Sequence, residues 1–175
     1  MSKQQMVWIL RDYERCSACR LCEIVCSLRF EGRIWPEASR IRVFEVVPGI
    51  AIPHFCVQCP DYPCVKACPT GALIVDKSTG AVVVDEGKCV LCRKCIDACP
   101  AKVPRIVKGK TSVIICDLCG GDPECVKVCE KAGFNALKKI PRPGSTIIMH
   151  YAKTPEELAK PLIRKLLEMN PEKVM

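Results

Sequence analysis

The apolar residues of this chain fall in short runs that turn-forming residues separate. Met6–Leu10 is a short apolar run that predicts an edge strand. Residues Ser39–Val47 read SRIRVFEVV, alternate in part between polar and apolar positions, and predict a second strand. Pro48, Gly49 and Pro53 follow, and these residues should break the strand before the next segment.

Two further apolar runs predict a β-hairpin. Leu73–Asp76 and Ala81–Asp85 are rich in β-branched residues, and the sequence KSTG joins them. Short helices are expected at Glu23–Leu28 and at Ile96–Cys99, each at the end of a cysteine-rich loop. The pattern therefore predicts an α+β fold of short hairpins and short helices.

The C-terminal segment has a different pattern. Thr154, Pro155 and Glu157 predict a helix start, with an N-cap, a proline at the first helical position and a capping box. Apolar residues recur after them at helical spacing, at Leu158, Leu162, Leu166 and Met169. Pro161 should kink this helix or start a second one. The helix would dock on its own domain or clamp a partner subunit.

Composition limits the size of the core and the location of the protein. The chain has 175 residues but only two Trp, three Tyr and four Phe, so a conventional core would be modest. It lacks an apolar stretch of about 18 residues, so no membrane span is expected. The N-terminal MSKQQMVWIL has no signal-peptide core, and we expect a cytoplasmic protein.

Sixteen cysteines fall in four groups with nearly the same internal spacing. The first and third groups read C-x2-C-x2-C-x3-C, the second C-x2-C-x4-C-x3-C and the fourth C-x2-C-x5-C-x3-C. Three closely spaced cysteines let one loop reach three corners of a cubane cluster, and the fourth lies one helical turn further on. The spacing therefore predicts four [4Fe–4S] clusters.

The fourth cysteine of each group is expected to bind a different cluster from the first three. In two-cluster ferredoxins this cysteine crosses to the other cluster, so the groups come in pairs. A proline follows the last cysteine of groups two and three, as in ferredoxins, whereas Ser27 and Glu130 stand there in groups one and four. Groups two and three enclose the predicted hairpin and form an inner pair, which leaves groups one and four as an outer pair. The predicted ligand sets are Cys16, Cys19, Cys22 and Cys129 (cluster 1); Cys26, Cys116, Cys119 and Cys125 (cluster 2); Cys56, Cys59, Cys64 and Cys99 (cluster 3); and Cys68, Cys89, Cys92 and Cys95 (cluster 4).

This pairing divides the chain into four segments. Residues 1–53 hold the first cysteine group and a strand, and residues 54–104 form the inner two-cluster unit. Residues 105–140 hold the fourth group and complete the outer pair. Residues 141–175 are expected to form a C-terminal strand and helix, available as a partner-docking tail.

Three other uses of the cysteines compete with this one. Structural zinc sites usually join two C-x2-C pairs across a longer gap, which does not match three or four crowded cysteines. Disulfides suit the cysteine content but not a reducing compartment. A radical enzyme that cleaves S-adenosylmethionine would resemble C-x3-C-x2-C, and no three cysteines have that spacing.

The charge of the chain fits the same interpretation. The formal net charge is +8 with neutral cysteines. Each oxidised cluster with its thiolates carries about −2, so four clusters bring the total near zero. The excess Lys and Arg are counter-charge rather than a nucleic-acid surface, although a basic patch for an acidic redox partner stays open. Arg20, Arg93 and Lys94 lie inside ligand loops, where positive charge would raise reduction potentials.

No catalytic residues are predicted. His54 and His150 are isolated, and a surface or core role is expected for them, although His54 is close enough to Cys56 to hydrogen-bond near a cluster. Nothing in the sequence matches a nucleophile–base set, a phosphate loop or a dinucleotide fingerprint.

Over residues 5–140 the chain resembles the iron–sulfur subunits of the dimethyl sulfoxide reductase type. The four groups, the longer insert in group four and the sequence CPTGAL at residues 68–73 carry this resemblance. It implies two ferredoxin-like units, a wire of four [4Fe–4S] clusters and the same crossed ligand sets.

A second resemblance lies in CSLRFEGRIWPEASRIRV, residues 26–43. It is similar to small four-cluster proteins beside tungsten-dependent aldehyde oxidoreductases, and related stretches occur in electron carriers for carbon monoxide dehydrogenase. The resemblance implies an electron-transfer subunit without its own substrate site. It would link a tungstopterin or molybdopterin oxidoreductase to a soluble carrier such as ferredoxin.

Several alternatives remain at this point. In one alternative, the catalytic partner is a carbon monoxide dehydrogenase, a hydrogenase or a formate dehydrogenase. A self-contained reductase would need an iron atom that lacks a cysteine, and sixteen ligands for four cubes argue against it. A zinc-structured interaction module would be colourless.

Overall fold

The computed structural model describes residues 6–175 and contains three small two-stranded antiparallel sheets in that range. The strand pairs are β1 (Val7–Arg11) with β6 (Leu137–Pro141), β2 (Arg42–Val47) with β3 (Ile50–His54), and β4 (Leu73–Val75) with β5 (Val82–Val84). The first of these pairs joins distant parts of the chain, because β1 precedes the first cysteine group and β6 follows the fourth.

Six α-helices accompany these sheets: α1 (Leu21–Glu31), α2 (Pro63–Lys66), α3 (Lys94–Ala98), α4 (Glu124–Lys131), α5 (Ser145–His150) and α6 (Pro155–Leu166). The third cysteine of each group is the second residue of one of the first four helices. The fourth cysteine then lies one turn further along, on the same side of the chain. Helices α1 and α4 pack against each other, as do α2 and α3, so groups one and four are neighbours and so are groups two and three.

The main core surrounds the cysteines. Eight of its 24 buried residues are cysteines, so the aliphatic side chains pack around the thiols rather than around one another alone. Smaller clusters lie at the periphery. One joins Trp8, Val57 and Cys59 to Ile148 of α5, and another joins the β2–β3 hairpin to α6.

Most strands and helices match the sequence expectations. Strands β1 and β2, the β4–β5 hairpin and helix α3 lie where they were predicted, whereas α1 runs longer than expected, from Leu21 to Glu31.

Strand β3 was not predicted, because Pro53 was interpreted as a breaker. Pro53 lies opposite Val43, whose N–H donates instead to the Glu23 carboxylate at 2.7 Å. Because the Val43 N–H points away from β3, Val43 and Pro53 do not exchange ladder hydrogen bonds. The missing N–H of Pro53 therefore costs the sheet no hydrogen bond at this position.

The C-terminal segment corrects two expectations. Its predicted strand lies earlier, at β6, and residues 145–150 form helix α5 instead. The capping box of Thr154 and Glu157 is present, but α6 runs through Pro161 without a second start. Pro161 is exposed, so solvent can satisfy the carbonyl oxygen that its missing N–H would have bonded.

Helix α6 docks on its own chain through one face. Leu158, Ala159 and Ile163 are buried against the β2–β3 hairpin. Leu166 and Met169 continue the predicted stripe but are exposed. Within residues 6–175, no helix combines the length and the apolar character that a membrane span requires.

Candidate iron–sulfur sites

The four cysteine loops share one backbone feature. The residue two positions after the first cysteine of each group is left-handed, at Ala18, Gln58, Leu91 and Leu118, with φ between 54° and 59°. This conformation costs a non-glycine residue about 1–2 kcal/mol. Backbone strain of this kind concentrates at functional sites, and left-handed turns aim N–H groups into the concavities that hold iron–sulfur clusters.

Three of the loops have a second left-handed residue directly before their helix, and the fourth loop differs. Arg20, Tyr62 and Arg93 have positive φ and directly precede helices α1, α2 and α3. In the fourth loop the corresponding turn is made earlier, by Cys119 and Gly120. The longer insert of group four therefore changes how the chain enters its helix.

The first cavity brings together three cysteines of group one and one of group four. Its walls include Val43, Pro53, Phe134 and Leu137. Its thiols are those of Cys16, Cys19, Cys22 and Cys129. Burial, and then the nearby Cys19 and Cys129, raise the pKa of the Cys16 thiol.

The second cavity reverses this arrangement, with three cysteines of group four and one of group one. Ile9, Phe30, Arg40 and Phe55 contribute to its walls. Its thiols are those of Cys26, Cys116, Cys119 and Cys125. The backbone N–H of Arg40 donates to the Cys26 sulfur at 3.2 Å.

In the inner pair, Cys99 of group three lies beside cysteines of group two. Burial, and then the neighbouring Cys99, raise the pKa of Cys59 to about 11 and that of Cys64 to about 12. Burial is also the main cause that raises the pKa of Cys95, followed among thiols by Cys89 and Cys92.

Cys68 lies just beyond α2 and is half-buried. Burial acts to raise the pKa of Cys68, but hydrogen bonds from the backbone of Leu73 and Ala72 and from Thr70 lower it. These donors are of the kind that stabilises a thiolate.

The donor set of these sites fits iron–sulfur clusters. Burial raises the pKa of Cys22 to about 12 and holds those of Cys56 and Cys125 well above the usual value. Only a strongly cationic ligand would keep such groups as thiolates. Within residues 6–175, no three His, Cys, Asp or Glu side chains converge closely enough for a single metal ion.

Two buried carboxylates beside the cysteines were not anticipated from the sequence. Glu23, next to Cys22, accepts from the Val43 N–H at 2.7 Å and pairs with Arg42 at 3.3 Å. Glu31 pairs with Arg40 at 3.4 Å and with Lys110 at 2.9 Å. Glu23 also pairs with the local Arg20 at 3.8 Å, whereas Arg42, Arg40 and Lys110 come from other segments that no local motif signals.

The predicted loop cations and histidines have ordinary environments. Arg20, Arg93 and Lys94 are exposed. His54 is buried, and its Nε2 lies 3.2 Å from the Lys153 carbonyl oxygen. Burial, and then Arg11, lower the pKa of His54 to about 4, so it is neutral at pH 7.

Comparison with known proteins places the chain among iron–sulfur subunits. The profile of the 4Fe-4S dicluster domain matches residues 47–139. The polyferredoxin-like subunit of an aliphatic sulfonate oxidoreductase from Pyrococcus furiosus is 60% identical, over 93% of this chain and 94% of that subunit. The thiosulfate reductase electron transfer subunit PhsB of Salmonella typhi is 35% identical, over 69% of this chain and 70% of that protein.

The chain is also similar to one further relative and to one solved structure. A subunit of the anaerobic dimethyl sulfoxide reductase of Escherichia coli is 32% identical, over 67% of this chain and 66% of that subunit. Among solved structures, one polypeptide of the BamBC active site complex of benzoyl coenzyme A reductase aligns with a TM-score of 0.45 and 20% identity. That alignment covers 94% of this chain and 98% of the other.

Proposed function

This chain belongs to the 4Fe-4S dicluster domain family, and we propose that it relays electrons between a tungstopterin or molybdopterin oxidoreductase and a soluble carrier such as ferredoxin. It is an iron–sulfur electron-transfer subunit of an oxidoreductase complex, and its cofactors are four [4Fe–4S] clusters. When bound, the clusters supply the one-electron chemistry, and the chain supplies spacing, burial and hydrogen bonds.

The observation that carries this proposal is the mixed origin of the cysteines in the two cavities. Each is lined by three cysteines of one group and one of another, which is the arrangement of crossed ligation. We assign clusters 1 and 2 to these cavities, and clusters 3 and 4 to the inner pair with the ligands predicted from the spacing. The chain would then hold two ferredoxin-like units, the inner one in residues 54–104.

The thiol neighbours support a linear order of the sites. After burial, the neighbours that raise the pKa of Cys125 include Cys22 of the first site, and those that raise the pKa of Cys56 include Cys116 of the second. The order is then cluster 1, cluster 2, cluster 3 and cluster 4. Of the sixteen cysteines, Cys19 and Cys92 are exposed, and they belong to the two ends of this order. Electrons would enter at one end and leave at the other.

Backbone groups of the chain tune the sites along this path. The N–H groups of Arg40, Gln58 and Val103 donate to the sulfurs of Cys26, Cys56 and Cys99 at 3.2 Å, 3.4 Å and 3.4 Å. Hydrogen bonds to ligand sulfurs stabilise negative charge and raise the reduction potential. These three donors act on sites in the middle of the proposed order, and the donors to Cys68 act on cluster 4 at one end.

Two substrates are candidates for the catalytic partner. The 60% identity to a subunit of an aliphatic sulfonate oxidoreductase favours a partner that acts on an aliphatic sulfonate. The sequence of residues 26–43 favours an aldehyde oxidoreductase. Both choices leave the proposed role of this chain unchanged, because the substrate site is assigned to the catalytic partner.

Anaerobic co-purification from the native organism tests the proposal. We expect a larger subunit that contains tungsten or molybdenum, about sixteen iron atoms on this chain by the four-cluster count, and a broad visible absorbance that dithionite bleaches. Activity assays of the complex with aldehydes and with aliphatic sulfonates, with ferredoxin as acceptor, then separate the two substrates. A partner with nickel, or one with neither tungsten nor molybdenum, would overturn the assignment.

A further inference from the structure

Arg11, the last residue of β1, carries a positive charge inside the core. It is 2% exposed. Its Nη2 donates to the Phe55 carbonyl oxygen at 2.8 Å, and its guanidinium lies 3.9 Å from the centre of the Phe55 ring. Its Nε and Nη1 are buried without a hydrogen-bond partner. A guanidinium in this environment is strongly desolvated.

No negatively charged side chain compensates this charge in the part of the chain that the structure describes. The ion pairs within residues 6–175 do not include Arg11. Tyr151 faces it as an aromatic ring, burial raises the pKa of Tyr13, and His54 is held neutral by burial and by Arg11 itself. Buried charges without a partner are strongly destabilising, so a counter-charge is required.

Two neighbours of Arg11 line the cavities that hold the cysteines. Phe55 directly precedes Cys56 and lines the second cavity. Leu137 pairs with Arg11 across β1 and β6 and lines the first cavity. Arg11 therefore neighbours one wall residue of each cavity, and its contact Phe55 directly precedes the first cysteine of the inner pair.

We propose that Arg11 is the buried counter-charge of this part of the relay and raises the reduction potential of the cluster assigned to Cys56, Cys59, Cys64 and Cys99. The inference rests on the proposed ligand sets. Arg11 acts through space and through the Phe55 carbonyl, as a positioning and tuning residue. A nearby positive charge favours the reduced, more negative state of a cluster.

The test is an EPR-monitored redox titration of the purified holoprotein with Arg11→Gln, Arg11→Lys and the exposed control Arg164→Met. We expect Arg11→Gln to lower the equilibrium constant for reduction of one cluster about tenfold. For a one-electron couple, this lowers the midpoint potential of that cluster by about 59 mV. The shifted signal should be the one that Cys64→Ser removes. Arg11→Lys and Arg164→Met should leave all the potentials close to wild type.

Iron content keeps the test decisive if a variant folds poorly. Failure of Arg11→Gln to retain iron, with retention in Arg11→Lys, would support the role of the charge. Equal loss of iron in both variants would show a role in shape alone and overturn the proposal, as would unchanged potentials in iron-replete Arg11→Gln. Wild-type protein with fewer than four clusters would instead overturn the proposed function, and the same titration reports it.

Discussion

Groups one and three differ from groups two and four in how their loops are covered. Two residues separate the second and third cysteines in groups one and three, and their second cysteines, Cys19 and Cys92, are exposed. The separation is four residues in group two and five in group four. There Cys59 is buried and Cys119 is half-buried.

The longer inserts therefore accompany protected sites. Tyr62, in the group-two insert, donates to the Gly80 carbonyl at 2.8 Å, and Arg142 donates to the Gln58 carbonyl at 2.7 Å. Both contacts tie the loop to distant segments. The short loops instead present a cysteine to solvent. Small differences in spacing thus separate loops that expose a cysteine from loops that do not.

The largest effect should come from replacing a buried cysteine that is assigned to a cluster in the middle of the proposed order. We expect Cys125→Ser to lose about a quarter of the bound iron, since one of four clusters goes, and to abolish electron transfer through the chain. Cys92→Ser, in an exposed loop, should retain more iron because a hydroxyl or solvent can replace the sulfur there. Iron and sulfide analysis with dithionite-reduced spectra measures both. Equal losses would remove the distinction between covered and open loops.

A smaller effect is expected from shortening an apolar side chain that packs over the cysteine loop of group two. Ile148 is 1% exposed and packs in the same cluster as Cys59. Ile148→Ala should lower the free energy of unfolding by about 2–5 kcal/mol. It should also speed the bleaching of the holoprotein in air, because water and oxygen gain access to Cys59.

The matched control is Val90→Ala in the group-three loop, where Val90 is 64% exposed. It should change the free energy of unfolding by less than about 0.5 kcal/mol. Anaerobic denaturant titrations and timed absorbance in air give both quantities. A Val90→Ala variant as unstable as Ile148→Ala would contradict the contrast.

Loss of the α6 cap should have a still smaller effect. The Thr154 hydroxyl accepts from the Glu157 N–H at 3.4 Å, and the Glu157 carboxylate accepts from the Thr154 N–H at 2.9 Å. Thr154→Ala should cost about 1 kcal/mol of unfolding free energy while iron content stays constant. Thr154→Ser should restore the stability, because serine keeps the hydroxyl. Iron loss in Thr154→Ala would show that α6 supports the sites directly.

The smallest effect is expected at the exposed cation of group three. Arg93 is exposed and makes no ion pair within residues 6–175. Arg93→Gln should lower the potential of one end cluster slightly, and high salt should erase the difference because exposed charges are screened. Titrations at low and high ionic strength measure this. A shift that persists at high salt would mean that Arg93 acts from a shielded position.

Local features of this chain could be predicted from sequence, whereas features formed by distant segments could not. The spacing of the cysteines indicated the cofactor, and the capping box of Thr154 and Glu157 indicated the start of α6, because both depend on neighbouring residues. The partners of Glu23, the burial of Arg11 and the contact of Ile148 with the group-two loop depend on tertiary packing. Pro53 misled the sequence interpretation because it occupies a position where the missing N–H is tolerated, and Pro161 does not start a second helix.

The pairing of β1 with β6 has a consequence for how the protein is made. Synthesis runs from the N-terminus at about 5–20 residues per second, so Cys16, Cys19 and Cys22 emerge from the ribosome early. Strand β1 has no partner until residues 137–141 have followed. Strands β4 and β5 are close in sequence, so this hairpin can pair soon after residue 84 has emerged. The first cysteines to be translated are thus among the last to be enclosed, and a chain that stops before Cys129 leaves three thiols open to oxidation.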